Sequence, residues 1–449
     1  MRSPWAALVA LWSLCVFSSP AAAQPGAGQW VGGAPMQTRV AVGASGEAWV
    51  GVWVDAPATT PTVIAHVPMA VSLVVDTSGS MAGPKIENAR LAAAALIESL
   101  SDGDIVSVYG FATSVTEIAP PTVLGPASRG MLLSNVAHLV AGGGTNLEGG
   151  LRAGVSRMAG APATHPTRRV FIISDGLANV GITDPRQLGY LAAAATEVGT
   201  QVTAIGVGYD YDPSTLSQLA VQSAGRMHHL GSPEQMGPIL ETELSWMARS
   251  VALGAVLEVR PATGVVILEA ATTGAVIEGG VLRLPLGAIT AGQRRELLFR
   301  VRMPTTRIGA TPLATASLRY GSPDGATTGT QSASLSLEVA RDASGASASP
   351  RVAAMLAQHE ASEAERAAAT LLEQGRREEA IARLDAARTA VATTTTQYDF
   401  ADEEVAGALE ARRAELDSAV SGARAATTSS AMHERSYELQ AAPMTADGY

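Results

Sequence analysis

The chain has 449 residues, 47% hydrophobic and 16% charged, with a formal net charge of -10. That much apolar material supports packed cores and excludes a disordered polyelectrolyte, and the length implies two to four domains at roughly 100–200 residues each. The acidic balance argues against nucleic acid as the main partner, because phosphate contacts want a basic surface.

Residues 1–23 read as a signal peptide, with Arg2 as the positive start, an apolar core over 5–17, and Ala21-Ala22-Ala23 as a small-residue cleavage site. The apolar run falls short of the about 20 residues that span a bilayer, and no later segment looks transmembrane. Export is therefore expected, to a periplasm, a cell surface or the medium. Cleavage would remove Cys15, the single cysteine, so the mature chain would rest on core packing without a disulfide. Lys85 is the only lysine. With the Ala and Gly richness, the arginine bias reads as the mark of a GC-rich bacterial genome.

Residues 24–68 hold a Gly/Pro linker and two strand-like runs, 38–42 and 47–54, with a Gly-bounded turn between them. They read as a hairpin that joins a β-sandwich formed later in the chain. From Met69 the pattern changes. The run 71–75 suits a strand buried on both faces. A helix follows, with Pro84 in its first turn and Ile86, Ala89, Ala93, Leu96, Ile97 and Leu100 on one face. A strand at 105–111, a helix at 146–158 and a strand at 170–174 come next. Asp184-Pro185 opens a helix, 202–207 is a strand, and Asp212-Pro213 opens another helix. Ser232-Pro233-Glu234-Gln235 has capping-box form and starts the last helix, to about Met247. Strands alternating with helices over 69–248 predict an α/β fold, a doubly wound, mostly parallel Rossmann-like sheet covered on both faces.

Residues 249–341 carry short strand-like runs separated by Gly/Pro turns, at 256–259, 265–268, 281–284, 296–301, 314–320 and 332–339. They predict an all-β sandwich, into which the α/β unit would be inserted. Residues 342–350 read as a linker. Residues 351–425 read as a helical segment broken at Gly375 and at the threonine run 393–396. Its charges over 360–383 read as a solvated face, and the tail 426–449 reads as disordered.

The sharpest motif is Asp76-Thr77-Ser78-Gly79-Ser80, directly after the first buried strand. In an open parallel sheet, ligands sit beyond the carboxyl ends of strands, near the topological switch point. An aspartate and two hydroxyls at alternate positions of an extended turn can converge on one point, and oxygen-only donors suit a hard cation. Two further loops end at the same edge. Gly142-Gly143-Gly144-Thr145-Asn146 precedes a helix, and Ser174-Asp175-Gly176 ends a buried strand.

These residues resemble the metal-ion-dependent adhesion site of the von Willebrand factor A family: an Asp-x-Ser-x-Ser loop, a threonine in a second loop and an aspartate in a third, in family order. The resemblance covers about 69–247. It implies that Asp76, Ser78, Ser80, Thr145 and Asp175 hold Mg²⁺ (Mn²⁺ or Ca²⁺ as alternatives), directly or through water. It also implies that a partner protein's exposed Asp or Glu carboxylate completes the shell, and that this exchange can couple to a shift of the last helix, here 232–247. The chain as a whole resembles secreted bacterial proteins in which such a domain sits within a β-sandwich and precedes a helical C-terminus. Inter-alpha-trypsin inhibitor heavy chains are a more distant likeness.

The expected role is therefore cation-dependent protein binding, as an adhesion or scaffold protein. An accessory subunit presenting substrates to an envelope chaperone, protease or secretion complex is the alternative. A metal-dependent hydrolase ranks below both, because no general base stands beside the motif and metal hydrolases favour His ligands or carboxylate-rich paired sites. The triglycine lacks the Lys and the spacing of a phosphate loop. His228 and His229 are adjacent and face opposite sides of a strand, so they make a poor metal pair. His66 and His165 stand alone.

Overall fold

The computed structural model describes residues 28–58, 67–208, 211–232, 235–432, 435–436 and 439. The expected signal peptide, His66, Pro233 and Glu234 lie outside them.

Three sheets and nine α-helices make up the described residues. The N-terminal strands are β1 (Val31–Pro35), β2 (Arg39–Ala41) and β3 (Glu47–Asp55). The α/β unit then runs β4 (Met69–Asp76), a 3₁₀ turn (Gly79–Met81), α1 (Pro84–Ser99), β5 (Ile105–Phe111), β6 (Val115–Val123), α2 (Pro126–Ala137), α3 (Leu147–Ala159), β7 (Thr167–Ser174), α4 (Pro185–Glu197), β8 (Thr200–Val207), α5 (Pro213–Gln222), β9 (Met227–Leu230) and α6 (Met236–Ala248). Its sheet has the order β6-β5-β4-β7-β8-β9. All neighbours are parallel except β6, which is antiparallel to β5.

The continuous apolar strands are explained by burial on both faces. On β4, Val71, Leu73 and Val75 pack with α1, α2 and α6, while Ala70 and Val74 pack with α3, α4 and α5. The helix starts follow their caps. Asp184 and Asp212 accept backbone N–H groups at the N-termini of α4 and α5, and Asn146 accepts Gly149 N–H at the start of α3. Sequence reading found no element between Phe111 and Gly142, yet β6 and α2 lie there. Pro120 and Pro121 break a strand pattern in sequence, but an edge strand tolerates them.

The second layer system is a sandwich. One sheet has the order β1-β3-β14-β11 and the other β12-β13-β10-β15-β16-β2. The later strands are β10 (Ser250–Pro261), β11 (Val266–Ala270), β12 (Val276–Glu278), β13 (Val281–Thr290), β14 (Arg294–Arg302), β15 (Gly309–Gly321) and β16 (Thr328–Ala340). Val50, Val52, Leu257, Leu284, Phe299, Leu318 and Leu337 share the core between the two sheets. β3 pairs with β14 along its whole length, so the α/β unit enters and leaves the chain between two sandwich strands.

The expected hairpin of 38–42 with 47–54 is a correction. β2 leaves to pair in parallel with β16, and β3 takes β1 and β14 as neighbours. The Gly-rich β1, Val-Gly-Gly-Ala-Pro, offered no alternation to read, and it occupies the edge that a hairpin partner would have filled.

The C-terminal helices are α7 (Pro350–Glu373), α8 (Arg377–Gln397) and α9 (Glu403–Ala425). They share one apolar core, and α7 seats Val352 and Met355 on the outer face of the sandwich beside Ala34, Trp53 and Leu298. Three expectations are corrected here. The threonine run does not break a helix: Thr393, Thr394, Thr395 and Thr396 lie inside α8 and donate their hydroxyls to carbonyls four residues back. The 360–383 charges are not all solvated, because Glu365 is buried against Arg412 at 2.6 Å. Nor is the described part of the tail free, since residues 429–432 are helical and Leu439 is buried in the helical core.

Candidate metal centre

The chain leaves β4 toward β5 on one side and returns to β7 on the other, so the topological switch point lies between the carboxyl ends of β4 and β7. Asp76 ends β4 and Asp175 follows β7, and both are fully buried. The switch point thus brings two carboxylates to one edge.

Three loops are stitched together there by backbone hydrogen bonds. Gly142 N–H donates to Thr77 carbonyl at 2.8 Å, and Gly79 N–H donates to Gly143 carbonyl at 3.0 Å. Those two bonds join the first loop to the second. Asn179 and Val180 N–H groups donate to Thr145 carbonyl, and Thr145 N–H donates to Asn179 Oδ1 at 2.7 Å. Those join the second to the third. The triglycine serves this closeness. Gly143 has φ +86°, and a Cβ on Gly144 would lie 2.8 Å from Val180 Cγ2.

Within the first loop the oxygens converge. Ser78 and Ser80 hydroxyls stand 3.0 Å apart. Asp76 Oδ1 accepts Ser78 N–H at 2.8 Å, and its Oδ2 accepts the Ser174 hydroxyl at 2.5 Å. Burial pushes the Asp76 carboxyl up to about 6, against the hydrogen bonds from Ser174 and Ser78, which favour its charged form; the neighbouring Asp175 adds to the rise. Asp175 Oδ2 accepts from the Lys85 ammonium at 3.0 Å. Thr145 is buried and Ser80 exposed.

The five residues singled out from sequence therefore lie on three mutually bonded loops at one sheet edge. Two residues that touch the carboxylates were missed: Ser174, visible in the Ser-Asp-Gly triplet, and Lys85, which carried no motif. Among the described residues no cluster of three or more His, Cys, Asp or Glu forms; this edge instead combines two carboxylates with three hydroxyls. That donor set is all oxygen and fits a hard divalent ion. One of the two carboxylates, Asp175, is already paired with a cation of the chain itself, the Lys85 ammonium.

The histidines have other work. His228 Nε2 lies 2.8 Å from Glu243 Oε1, and His229 stacks on Tyr211. His165 Nε2 meets the Gly103 carbonyl.

Comparison with known proteins places the α/β unit among proteins of known fold. Residues 71–177 match the family model of the von Willebrand factor type A domain, a span that holds all five candidate positions. Human inter-alpha-trypsin inhibitor heavy chain H4 is 27% identical over 171 residues, 37% of this chain and 18% of that protein. The uncharacterized protein sll0103 of Synechocystis sp. is 23% identical over 275 residues, 58% of this chain and 63% of that one. The chain thus spans less than two thirds of the length of either relative. Among solved structures, the von Willebrand factor type A protein from Catenulispora acidiphila superposes with a TM-score of 0.68 at 17% identity, covering 92% of this chain and 96% of that one. The ArnB paralog VWA2 from Sulfolobus acidocaldarius gives 0.58 at 16% identity, covering 93% and 98%. At such identities these two show the fold alone. The α/β unit has the von Willebrand factor type A fold, with the family model matching its residues 71–177, and it is carried between strands of a sandwich and followed by a helical segment.

Proposed function

We propose that this protein binds partner proteins through a divalent cation, Mg²⁺ first, held by Asp76, Ser78, Ser80, Thr145 and Asp175. The observation that carries the reading is the joining of three loops at the switch point around two buried carboxylates. Two carboxylates and three neutral hydroxyls leave a hard dication electron-poor. An exposed Asp or Glu of the partner can then supply the remaining charge, and this chain's residues orient the ion without transforming a substrate. The role is binding, not catalysis. No helix among the described residues is long and apolar enough to cross a membrane. With the signal-like residues 1–23, the chain acts after export, in a periplasm, at a surface or outside the cell.

The test is capture of partners from an envelope fraction on the immobilised full chain, with Mg²⁺ and with EDTA. A partner retained only with Mg²⁺, and lost on Asp175→Ala, supports the reading. Identical partner profiles in both conditions would overturn it. Whether the captured partner belongs to a chaperone, protease or secretion complex separates an accessory subunit from an adhesin.

A further inference from the structure

Lys85 is the single lysine among 31 lysine and arginine residues. It stands in the first turn of α1, one residue after Pro84, where the helix dipole disfavours a cation. Its ammonium lies 3.0 Å from Asp175 Oδ2, with the lysine side chain 16% exposed and the aspartate side chain 0%. The two carboxylates of the site are held differently. Asp76 receives neutral donors on both oxygens, from Ser78 and Ser174, whereas Asp175 receives a charge. The residue types differ in kind as well. Arginine offers a rigid planar fork suited to permanent bidentate pairs; lysine offers a compact point charge on a flexible stem that can swing away. Buried pairs elsewhere among the described residues use arginine, as in Arg351 with Asp55 and Arg412 with Glu365.

We propose that Lys85 is a built-in competitor for the cation site. Its ammonium neutralises Asp175 until a divalent ion arrives, and because like charges repel, each cation weakens the other's hold on that carboxylate and the ion displaces the ammonium from Oδ2. Lys85 is thus an affinity-setting residue, and its departure accompanies ion binding. This inference rests on the cation-site reading above. Only the open fraction of molecules binds, so a pair closed about nine-tenths of the time weakens the apparent affinity about tenfold.

The experiment uses the full chain and Mg²⁺ alone. Calorimetric titration of the parent, Lys85→Met and Lys85→Gln should show both variants binding Mg²⁺ about tenfold more tightly. A second readout needs no variant. Because Lys85 is the only lysine, an amine-acylating reagent can be scored on the one peptide that bears it. Acylation should speed up several-fold with saturating Mg²⁺ and return to its starting rate with EDTA. Equal or weaker Mg²⁺ binding in both variants, or acylation that Mg²⁺ leaves unchanged or slows, overturns the competition while leaving the cation site standing. If none of the three proteins takes up Mg²⁺, the cation site itself is wrong, and the inference falls with it.

Discussion

Glu243 anchors α6, the last helix of the α/β unit, and removing its charge has a calculable effect. Its side chain is 0% exposed on α6. It meets His228 Nε2 at 2.8 Å, Arg226 Nη1 at 3.3 Å, Thr203 Oγ1 at 3.3 Å and the buried Arg169 Nη1 at 3.8 Å. One carboxylate therefore ties α6 to β7, β8 and β9. Burial alone would raise its carboxyl, but the His228 hydrogen bond and the charges of Arg169, Arg226 and His228 overcome this and hold it at about 2, against an ordinary 4.5. That drop corresponds to roughly 3 kcal/mol, similar to the about 3–5 kcal/mol lost when one partner of a buried pair is removed. Glu243→Gln keeps the shape and deletes the charge, leaving Arg169 buried without it. A chain with several cores need not unfold in one step, so the readout should be local. Hydrogen exchange across α6 should accelerate by about a hundredfold. The pH sign follows from the depressed carboxyl: this stabilisation is complete above about 4.5 and is lost as pH falls from there through about 2. Exchange in the variant within about threefold of the parent at neutral pH would refute the reasoning.

The other predictions concern packing and a second buried pair. Gly154 lets α3 approach the sheet, and a Cβ there would lie 2.9 Å from both Val170 Cγ1 and Val74 Cγ2. Gly154→Ala should lower stability by about 1–3 kcal/mol despite alanine's better helix propensity, seen as an earlier melt of the α/β unit; an unchanged or higher melting temperature contradicts the close packing. Arg412 bridges α9 to Glu365 and Ser362 on α7. Arg412→Ala should destabilise the helical segment by about 3–5 kcal/mol, and the double replacement Arg412→Leu with Glu365→Leu should restore most of it. Limited proteolysis of the segment after α7 would report both, and resistance equal to the parent's in Arg412→Ala would show the pair to be idle.

Much of the fold was legible because its strands are buried on both faces. β5 coincides with the run read at 105–111, and Asp184-Pro185 and Asp212-Pro213 mark the starts of α4 and α5. What sequence could not show was set by distant partners. β2 and β3 look like a hairpin locally, but β14 takes β3 along nine residues and β2 joins β16 in a three-residue parallel pairing, both partners lying about 250 or more residues away in the chain. The threonines at 393–396 disfavour helix in isolation, yet their hydroxyls are satisfied within α8, and the shared core holds the helix. Within the site, the three loops were readable from Asp76, Ser78, Ser80, Thr145 and Asp175, because each ends a strand or starts a helix. Lys85 was not, since nothing local marks an ammonium that folds back to a carboxylate 90 residues away. The single lysine looked like genome composition, and its position against Asp175 gives it a chemical meaning.

The central claim is that these five oxygen-bearing side chains hold a divalent cation. Isothermal titration of Mg²⁺ into the parent chain, Asp76→Ala and Asp175→Ala tests it most directly, with circular dichroism checking that the fold survives. Saturable binding by the parent that is abolished in both folded variants is the expected result; unchanged Mg²⁺ affinity in both would contradict it.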